Sequence, residues 1–584
     1  MSQPSGTWPA SDASADPLAT RDGSVSEATG PGATQSARGS LGEWSGPVAI
    51  RIPALVAASL AAAAIVLAAV AAHFEVPRFV GDISSPVFKP VELPEVPAAL
   101  GAMEQHLHRV SGHQWLQQLT PNQGGALWLS LLIVLFVGLD ANGWSARTRD
   151  LLLLQATAWL LFGTLDVFSQ TDAPPFLAWV RLMFELAALA TAILWVRTFW
   201  LQWRPYRAPW RAAIRRGTLA TVATSLVVLD LSVVFLQPPD DSSFFANLGG
   251  ERLRDRGQLP YGDPMLTGTA GAAYPPLLYA MHAGAQALIG VPRRQPAEDR
   301  PELGARSDYR EPPRVAAQLV LAFSQLAGLM ALWLLGRQAL GERGGWALVA
   351  LYAGSSYLLV VGGTRESVSG LTFVSHIVPA SATLIAFSAL SRPWLNGVLL
   401  ATSAGLGFYP AFFFPIWTAW HWRHGWRNAL RFVAGFAVVS ALVAAWVLAR
   451  SAPAPGLTLV GTIVRDTLGH HSDPAGYGMS VYGLWGQQSG VLAWLGHPLM
   501  GTATWTTPFF LLFVAALALA TALAHRADVP RLALLTGGAA IGANLWKIHA
   551  TATYVSWYYP FLLFGLLALS ATGGDERRPE STHA

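Results

Sequence analysis

Long apolar segments recur along almost the whole of this 584-residue chain. Each is close in length to the 20 or so mostly apolar residues that a helix needs to cross a lipid bilayer. Charged residues make up only 12% of the chain, about half of the share that soluble globular domains carry. Too little polar surface is left to face water. The sequence therefore predicts an all-α fold, a polytopic transmembrane helical bundle.

The spacing of the apolar segments predicts about fourteen helical passes. We expect single helices at 51–72, 126–141, 150–169, 177–198, 217–236, 314–336, 346–361, 372–390, 428–449, 505–524, 531–546 and 552–571. Between Trp394 and Trp422, two shorter apolar runs meet at Gly407-Phe408-Tyr409-Pro410. Proline lacks the amide donor that a helix interior needs, so this region is predicted to be a broken helical hairpin.

Arginines cluster in alternate short loops between the apolar segments. Cytoplasmic loops of membrane proteins carry such an excess of basic residues, so both termini are expected in the cytoplasm. The same arginines account for the net charge of +4, and nucleic acid is therefore not expected as a partner. The arginines assigned to this side are Arg147, Arg149, Arg204, Arg207, Arg211, Arg215, Arg216, Arg337, Arg343, Arg392, Arg423, Arg427, Arg431, Arg526, Arg531, Arg577 and Arg578.

Four regions follow from this topology. Residues 1–46 are rich in small and polar residues, lack a signal-peptide pattern, and are expected to form a disordered cytoplasmic tail. Residues 47–216 are expected to form a four-helix membrane segment with an outer loop at 73–125. Residues 217–571 form the main membrane module, and residues 572–584 a second cytoplasmic tail. The chain has no cysteine, so disulfides and thiolate chemistry are excluded.

The most informative stretch lies just after the helix that ends at Leu236. Two carboxylates, Asp240 and Asp241, precede a charged amphipathic helix expected at 243–256. A Pro-Tyr-Gly-Asp turn containing Tyr261 and Asp263 ends that helix, and Tyr274-Pro-Pro-Leu opens a second one. The carboxylates could cap the amphipathic helix. A general base or a cation ligand at a membrane edge would have the same pattern.

These motifs resemble the first outer loop of the GT-C glycosyltransferase superfamily, in its bacterial branch that uses polyprenyl-phosphate sugars, such as mannosyltransferases. The resemblance covers about 236–290 and extends more loosely to residue 571, so it marks 217–571 as the catalytic module. It implies transfer of a sugar from a polyprenyl-phosphate donor to a lipid or glycan acceptor, at the outer face of the bacterial cytoplasmic membrane. It also implies that the general base is Asp241, with Asp240 as the alternative, and that Tyr261, Asp263 and Tyr274 contact substrate.

Other polar groups are predicted on the same outer side. Arg365 and Glu366 precede the helix that contains His376, and Lys547 and His549 precede an aromatic run. Ionisable groups at membrane depth are functional candidates by default. Arg365, His376, Lys547 or His549 could bind the donor phosphate, and Glu366 is a further candidate for substrate binding. The structural alternatives are an interfacial ion pair, a hydrogen-bonded histidine, and a lysine that extends to the interface from an aromatic belt.

No cofactor or metal is expected. His470 and His471 are adjacent, and side chains that are neighbours in sequence usually point apart, so they make a poor metal site. Two other functions remain open: a transporter or flippase, and a non-catalytic relative with the same fold. Transporters concentrate polar groups near the bilayer midplane, whereas the polar groups of this chain gather in outer loops, which favours the enzyme.

Overall fold

The computed structural model describes residues 121–138, 145–170, 174–237, 239–262, 270–292, 313–359, 369–451, 457–464, 467, 506–546 and 554–570. The predicted tails at 1–46 and 572–584, the predicted span at 51–72 and most of the predicted outer loop lie outside these residues. Helices form most of the described chain, which contains no β-strand. The predicted all-α fold is therefore confirmed for this part of the protein.

The helices follow the apolar segments of the sequence. The first six are α1 (Pro121–Gly138), α2 (Ala146–Gln170), α3 (Pro174–Trp203), α4 (Arg216–Leu236), α5 (Asp241–Arg256) and α6 (Pro276–Leu288). The next five are α7 (Pro313–Ala353), α8 (Ser356–Leu359), α9 (Val374–Ser388), α10 (Pro393–Leu406) and α11 (Phe414–Arg423). The last five are α12 (Trp426–Arg450), α13 (Leu457–Val464), α14 (Thr506–Ala524), α15 (Val529–Trp546) and α16 (Val555–Ala568).

Four stretches of the described chain are long and apolar enough to cross a membrane: Leu186–Trp203 within α3, and the helices α4, α7 and α12. Shorter apolar helices, such as α9 and α16, accompany them. A helix of 14 residues, the length of α16, extends only about 21 Å, which is less than the hydrocarbon thickness of about 30 Å. Helix length and composition thus support membrane spans, and the count of about fourteen passes stays a prediction.

Helix α7 is two helical arms joined at a sharp bend. Gly341 at the bend has φ of 75°, a conformation that glycine adopts without the steric cost that a side chain adds. The arms fold back on each other, since Trp333 and Trp346 pack edge to face at 5.8 Å. The two separate helices predicted for this stretch are confirmed, but the second arm ends earlier than predicted, at Ala353, and the short α8 follows it.

The predicted broken hairpin is present between α10 and α11. Helix α10 ends at Leu406, and a 3₁₀ turn at Tyr409–Phe413 leads into α11. His421 near the end of α11 lies with its Nε2 2.8 Å from Oδ1 of Asn396 near the start of α10. The chain therefore reverses direction at the glycine and proline of this turn.

Contacts between loops agree with the predicted sides of the bundle. The Arg147 guanidinium donates to the carbonyl of Ala208 at 2.8 Å, and both residues were assigned to the arginine-rich side. The Leu259 amide donates to the carbonyl of Arg450 at 2.7 Å, which joins two segments assigned to the opposite side. Helix α4 connects the two sides, because Arg207–Arg215 precede it and Asp240 follows it.

Candidate functional site

Asp240 caps the amphipathic helix α5. One of its carboxylate oxygens, Oδ1, accepts from the Ser242 hydroxyl at 2.7 Å and from the Ser243 amide at 3.3 Å. Such a bond satisfies an amide at the start of a helix that has no partner within the helix, so the capping alternative is confirmed for Asp240. Asp241 is the first residue of α5, and its side chain lies outside what the structure describes.

The start of α5 is fixed against the segment that leads into α9. The Ser243 hydroxyl donates to the carbonyl of Thr372 at 3.3 Å, and the Asp240 amide donates to the same carbonyl at 3.4 Å. The Ser375 amide in the first turn of α9 donates to the Ser242 hydroxyl at 3.4 Å. These bonds hold together two segments that are about 130 residues apart in sequence.

His376 follows directly after this junction and belongs to an aromatic cluster. The centre of its ring lies 4.8 Å from that of Tyr554, in an edge-to-face contact, and within 6 Å of the ring centres of Phe373 and Trp557. Tyr409 from the hairpin turn stacks on Trp557 at 3.8 Å. Tyr554, Trp557 and Tyr409 are buried, whereas His376 is half-buried. The cluster therefore holds the imidazole in place, one residue after the Ser375 amide that bonds to the start of α5.

Tyr261 and Tyr274 lie at the other end of α5. The Tyr261 hydroxyl donates to the carbonyl of Tyr274 at 2.6 Å, and the Tyr279 hydroxyl donates to the carbonyl of Gly271 at 2.7 Å. Complete burial raises the pKa of the Tyr261 phenol well above its usual value, so Tyr261 remains a donor. These bonds fix the turn after α5, and substrate contact by Tyr261 or Tyr274 stays a prediction.

The length of α5 separates the two groups of residues. The helix has 16 residues and so extends about 24 Å, with Asp240 before it and Tyr261 beyond its end. The structure thus places Asp240 at the junction that immediately precedes His376 in α9, and it places Tyr261 and Tyr274 at the opposite end of α5. The other predicted site residues lie outside the described residues: Asp263, Arg365, Glu366, Lys547 and His549.

A buried polar clasp that sequence reasoning missed joins α5 to α6. Asn247 Oδ1 lies 2.7 Å from Nδ1 of His282 and 3.0 Å from Nε2 of Gln286, while the Asn247 amide group donates to the carbonyl of Pro313 at 2.8 Å. Since Oδ1 can only accept, His282 carries its proton on Nδ1. Burial lowers the pKa of His282 to about 3, so the imidazole is neutral at physiological pH.

A second missed group is a carboxyl in the middle of an apolar helix. Asp230 in α4 is fully buried, and Gln325 in α7 donates to its Oδ2 at 3.1 Å. Its Oδ1 has no hydrogen-bond partner among the described residues. A lone acidic residue inside a predicted span is a functional candidate, so the sequence did contain a signal for Asp230. Its partner could not be read from the sequence.

Within the described residues, no group of three or more His, Asp or Glu side chains could hold a metal ion. The His470-His471 pair lies outside this part of the chain. The described geometry therefore consists of a capped acidic helix start, a half-buried histidine and an aromatic cluster, on a helical scaffold with four candidate membrane spans. Comparison with known proteins gave no match to any family model, curated protein or solved structure.

Proposed function

We propose that this chain is a membrane glycosyltransferase. It would move a sugar from a polyprenyl-phosphate donor to a lipid or glycan acceptor at the outer face of the bacterial cytoplasmic membrane. Asp241 is the proposed general base, and residues 217–571 form the proposed GT-C-like catalytic module. No metal or other cofactor is part of the proposal.

The single observation that carries the proposal is the junction between α5 and α9. The hydrogen bonds of Ser242 and Ser243 join an acidic helix start to the first turn of α9, which carries the half-buried His376. The two elements come from distant parts of the chain. Neither α5 nor α6 is long enough to cross a bilayer. Both are therefore suited to lie along the interface, where a lipid-linked donor presents its phosphate.

The two adjacent aspartates differ in what they can do. Oδ1 of Asp240 already accepts from the Ser242 hydroxyl and the Ser243 amide, so this oxygen is occupied by the helix cap. Asp241 is the first residue inside the helix, and the cap supplied by Asp240 does not depend on it. This division of roles favours Asp241 as the group that accepts a substrate proton.

In the proposed reaction, Asp241 takes the proton of the acceptor hydroxyl as its oxygen bonds to the anomeric carbon of the sugar. The bond from that carbon to the phosphate oxygen breaks, and the electron pair leaves with the polyprenyl phosphate. One base and a stabilised leaving group are sufficient for such a displacement. His376 would stabilise the leaving phosphate, together with Arg365, Lys547 and His549.

Product formation by the purified protein tests the function. The full chain, reconstituted in proteoliposomes, is supplied with a panel of polyprenyl-phosphate sugars and a membrane lipid extract as acceptor. Mass spectrometry should show a product heavier than the acceptor by one sugar, with release of polyprenyl phosphate in equal amount. Failure of every donor in the panel would contradict the proposal.

One observation favours the transporter or flippase alternative. Asp230 and its partner Gln325 are buried within the apolar helices α4 and α7, and polar groups at membrane depth are typical of substrate and ion pathways. The same proteoliposomes separate the two functions. A transporter would move a labelled lipid-linked sugar between leaflets, with a rate that depends on Asp230, and would leave the sugar on its donor.

A further inference from the structure

A basic cleft opens at the arginine-rich end of α3, on the side of the bundle away from Asp240. It has a volume of about 440 Å³ and lies between the start of α2, the end of α3 and the loop that follows α3. The side chains that line it are mainly cationic and aromatic. They include Arg147, Arg197, Trp200, Arg204, Tyr206 and Arg207.

The inner wall of the cleft is held rigidly. The Arg147 guanidinium is almost fully buried and donates to the carbonyls of Leu566 and Leu569 at the end of α16, at 3.1 and 2.8 Å. Carbonyls at a helix end have no partner within the helix, so Arg147 locks α16 to α2. The same guanidinium lies 4.6 Å from the centre of the Tyr206 ring.

Asp150, behind the cleft, neutralises only one of these cations. Both of its oxygens accept from Nε of Arg197 at 3.0 Å, and the Tyr206 hydroxyl donates to one of them at 2.5 Å. Burial and the nearby Asp150 raise the pKa of Tyr206 well above its usual value, so this phenol stays a donor. Asp150 thus orients Arg197 and Tyr206, and its single negative charge cannot neutralise the remaining arginines of the cleft.

The outer wall carries uncompensated positive charge. Arg204 and Arg207 are exposed, and within the described residues neither guanidinium has a hydrogen bond or an ion pair. On the same side of the bundle, Arg216 is paired with Glu342 at 2.5 Å and Arg531 with Asp528 at 2.6 Å. Arginine at a concave site is well suited to bind a phosphate through two parallel hydrogen bonds.

An apolar stripe leads from the cleft along α3. Its side chains are large, hydrophobic and between 41% and 62% exposed, at a spacing of three and four residues that places them on one helix face. They are Leu186, Leu189, Ile193, Val196, Trp200 and Trp203. A soluble phosphate would make no use of such a stripe, whereas the acyl chains of a lipid would lie along it.

We propose that this cleft binds the phosphate of an anionic membrane lipid, with Arg204 and Arg207 contacting the phosphate and the acyl chains along the exposed face of α3. Basic pockets between helices on the cytoplasmic side are a known setting for anionic head groups. The site gives the N-terminal helices a role of their own. It does not depend on the glycosyltransferase function proposed for the other side of the bundle.

Native mass spectrometry of the delipidated full chain in detergent tests this site. Phosphatidylglycerol is titrated against the wild type, the Arg204→Gln/Arg207→Gln double variant, and a matched Arg343→Gln/Arg526→Gln double variant. Arg343 and Arg526 are exposed arginines of the same side that do not line the cleft. We expect the cleft variant to bind about tenfold more weakly or worse, and the matched variant to bind as the wild type does.

Phosphatidylcholine and inorganic phosphate serve as further probes. Phosphatidylcholine should bind much more weakly than phosphatidylglycerol, and millimolar inorganic phosphate should not displace the lipid. Displacement by inorganic phosphate would assign the cleft to a soluble phosphate and overturn the lipid proposal. Equal weakening in both double variants would show general surface charge, and it would overturn the proposal, as would a wild type that binds no phosphatidylglycerol.

Discussion

His282 is buried as a neutral imidazole between α5 and α6, where its Nδ1–H donates a hydrogen bond to Oδ1 of Asn247. Its Nε2 has no hydrogen-bond partner among the described residues. A second proton would place an unpaired charge in this contact, and burial accordingly lowers the pKa of His282 to about 3. At the scale of single residues, His282 is thus a group whose protonation opposes folding.

We expect the stability of the protein to fall as the pH drops below about 6.5, the pKa of an unperturbed histidine. The unfolded chain binds the proton first, because its histidine has the higher pKa. The contribution of neutral His282 to the free energy of unfolding is therefore complete above about pH 6.5. It is lost as the pH falls towards about 3, by up to about 1.4 kcal/mol per pH unit. The melting temperature of the purified protein in detergent, measured from about pH 7 to about pH 5, reports this loss.

The variant His282→Gln keeps a donor for Asn247 and cannot titrate. Its melting temperature should depend less steeply on pH than that of the wild type over the same range. Other histidines contribute equally to both proteins, so the difference in slope isolates His282. Equal slopes would show that His282 is not the titrating group.

At the scale of helices, α5 and α6 pack closely because α5 has glycines at the contact. A Cβ atom added to Gly249 would lie 2.2 Å from Cδ1 of Tyr279. The Tyr279 ring is held by its hydroxyl bond to Gly271 and packs edge to face on Tyr261, so it cannot move aside cheaply. The clasp that carries His282 depends on this close approach.

We therefore expect Gly249→Ala to lower stability by about 1–3 kcal/mol, as overpacking typically does. The matched control is Gly284→Ala on α6, since a Cβ there meets nothing within 4 Å, and alanine is the better helix former. Thermal unfolding of both variants in detergent should show a lower melting temperature only for Gly249→Ala. Identical melting of the two variants would contradict the close packing of α5 on α6.

The helices could be predicted from sequence because their signals are local. Apolar runs of about 20 residues predict the bounds of α4 and α12 to within about two residues. The glycine and proline at Gly407 and Pro410 predict the break of the α10–α11 hairpin equally well. The amphipathic helix was also predicted, and its start differs by two residues because Asp240 supplies the cap.

The contacts between helices could not be predicted in the same way. Asn247 and His282 resemble surface residues of amphipathic helices, and only the fold brings them together. Asp230 finds its partner Gln325 nearly 100 residues later in the chain. Serines such as Ser242 carry no sequence signal for a junction with α9. The sequence therefore singles out the carboxylates and the histidine of the candidate site, but it does not predict the hydrogen bonds that position them.

At the scale of the whole molecule, the arginine pattern predicts which loops share a side. The chain has no cysteine, so single cysteines can report topology. A cysteine at Ser307 should react with an impermeant maleimide in intact cells, whereas one at Ala213, an exposed residue of the arginine-rich side, should react only after permeabilisation. The reverse pattern would invert the topology and move the proposed catalytic side into the cytoplasm.

The central claim is that Asp241 acts as the base of a sugar transfer, and the turnover of Asp241→Asn tests it most directly. Asparagine cannot accept a proton at neutral pH, and the helix cap on Asp240 remains, so folding should be preserved. With a donor that the wild type uses, we predict a loss of about 10²–10⁴-fold in rate. The control Asp255→Asn, at the other end of α5 beside Arg254, should keep about the wild-type rate. Wild-type turnover by Asp241→Asn would contradict the claim.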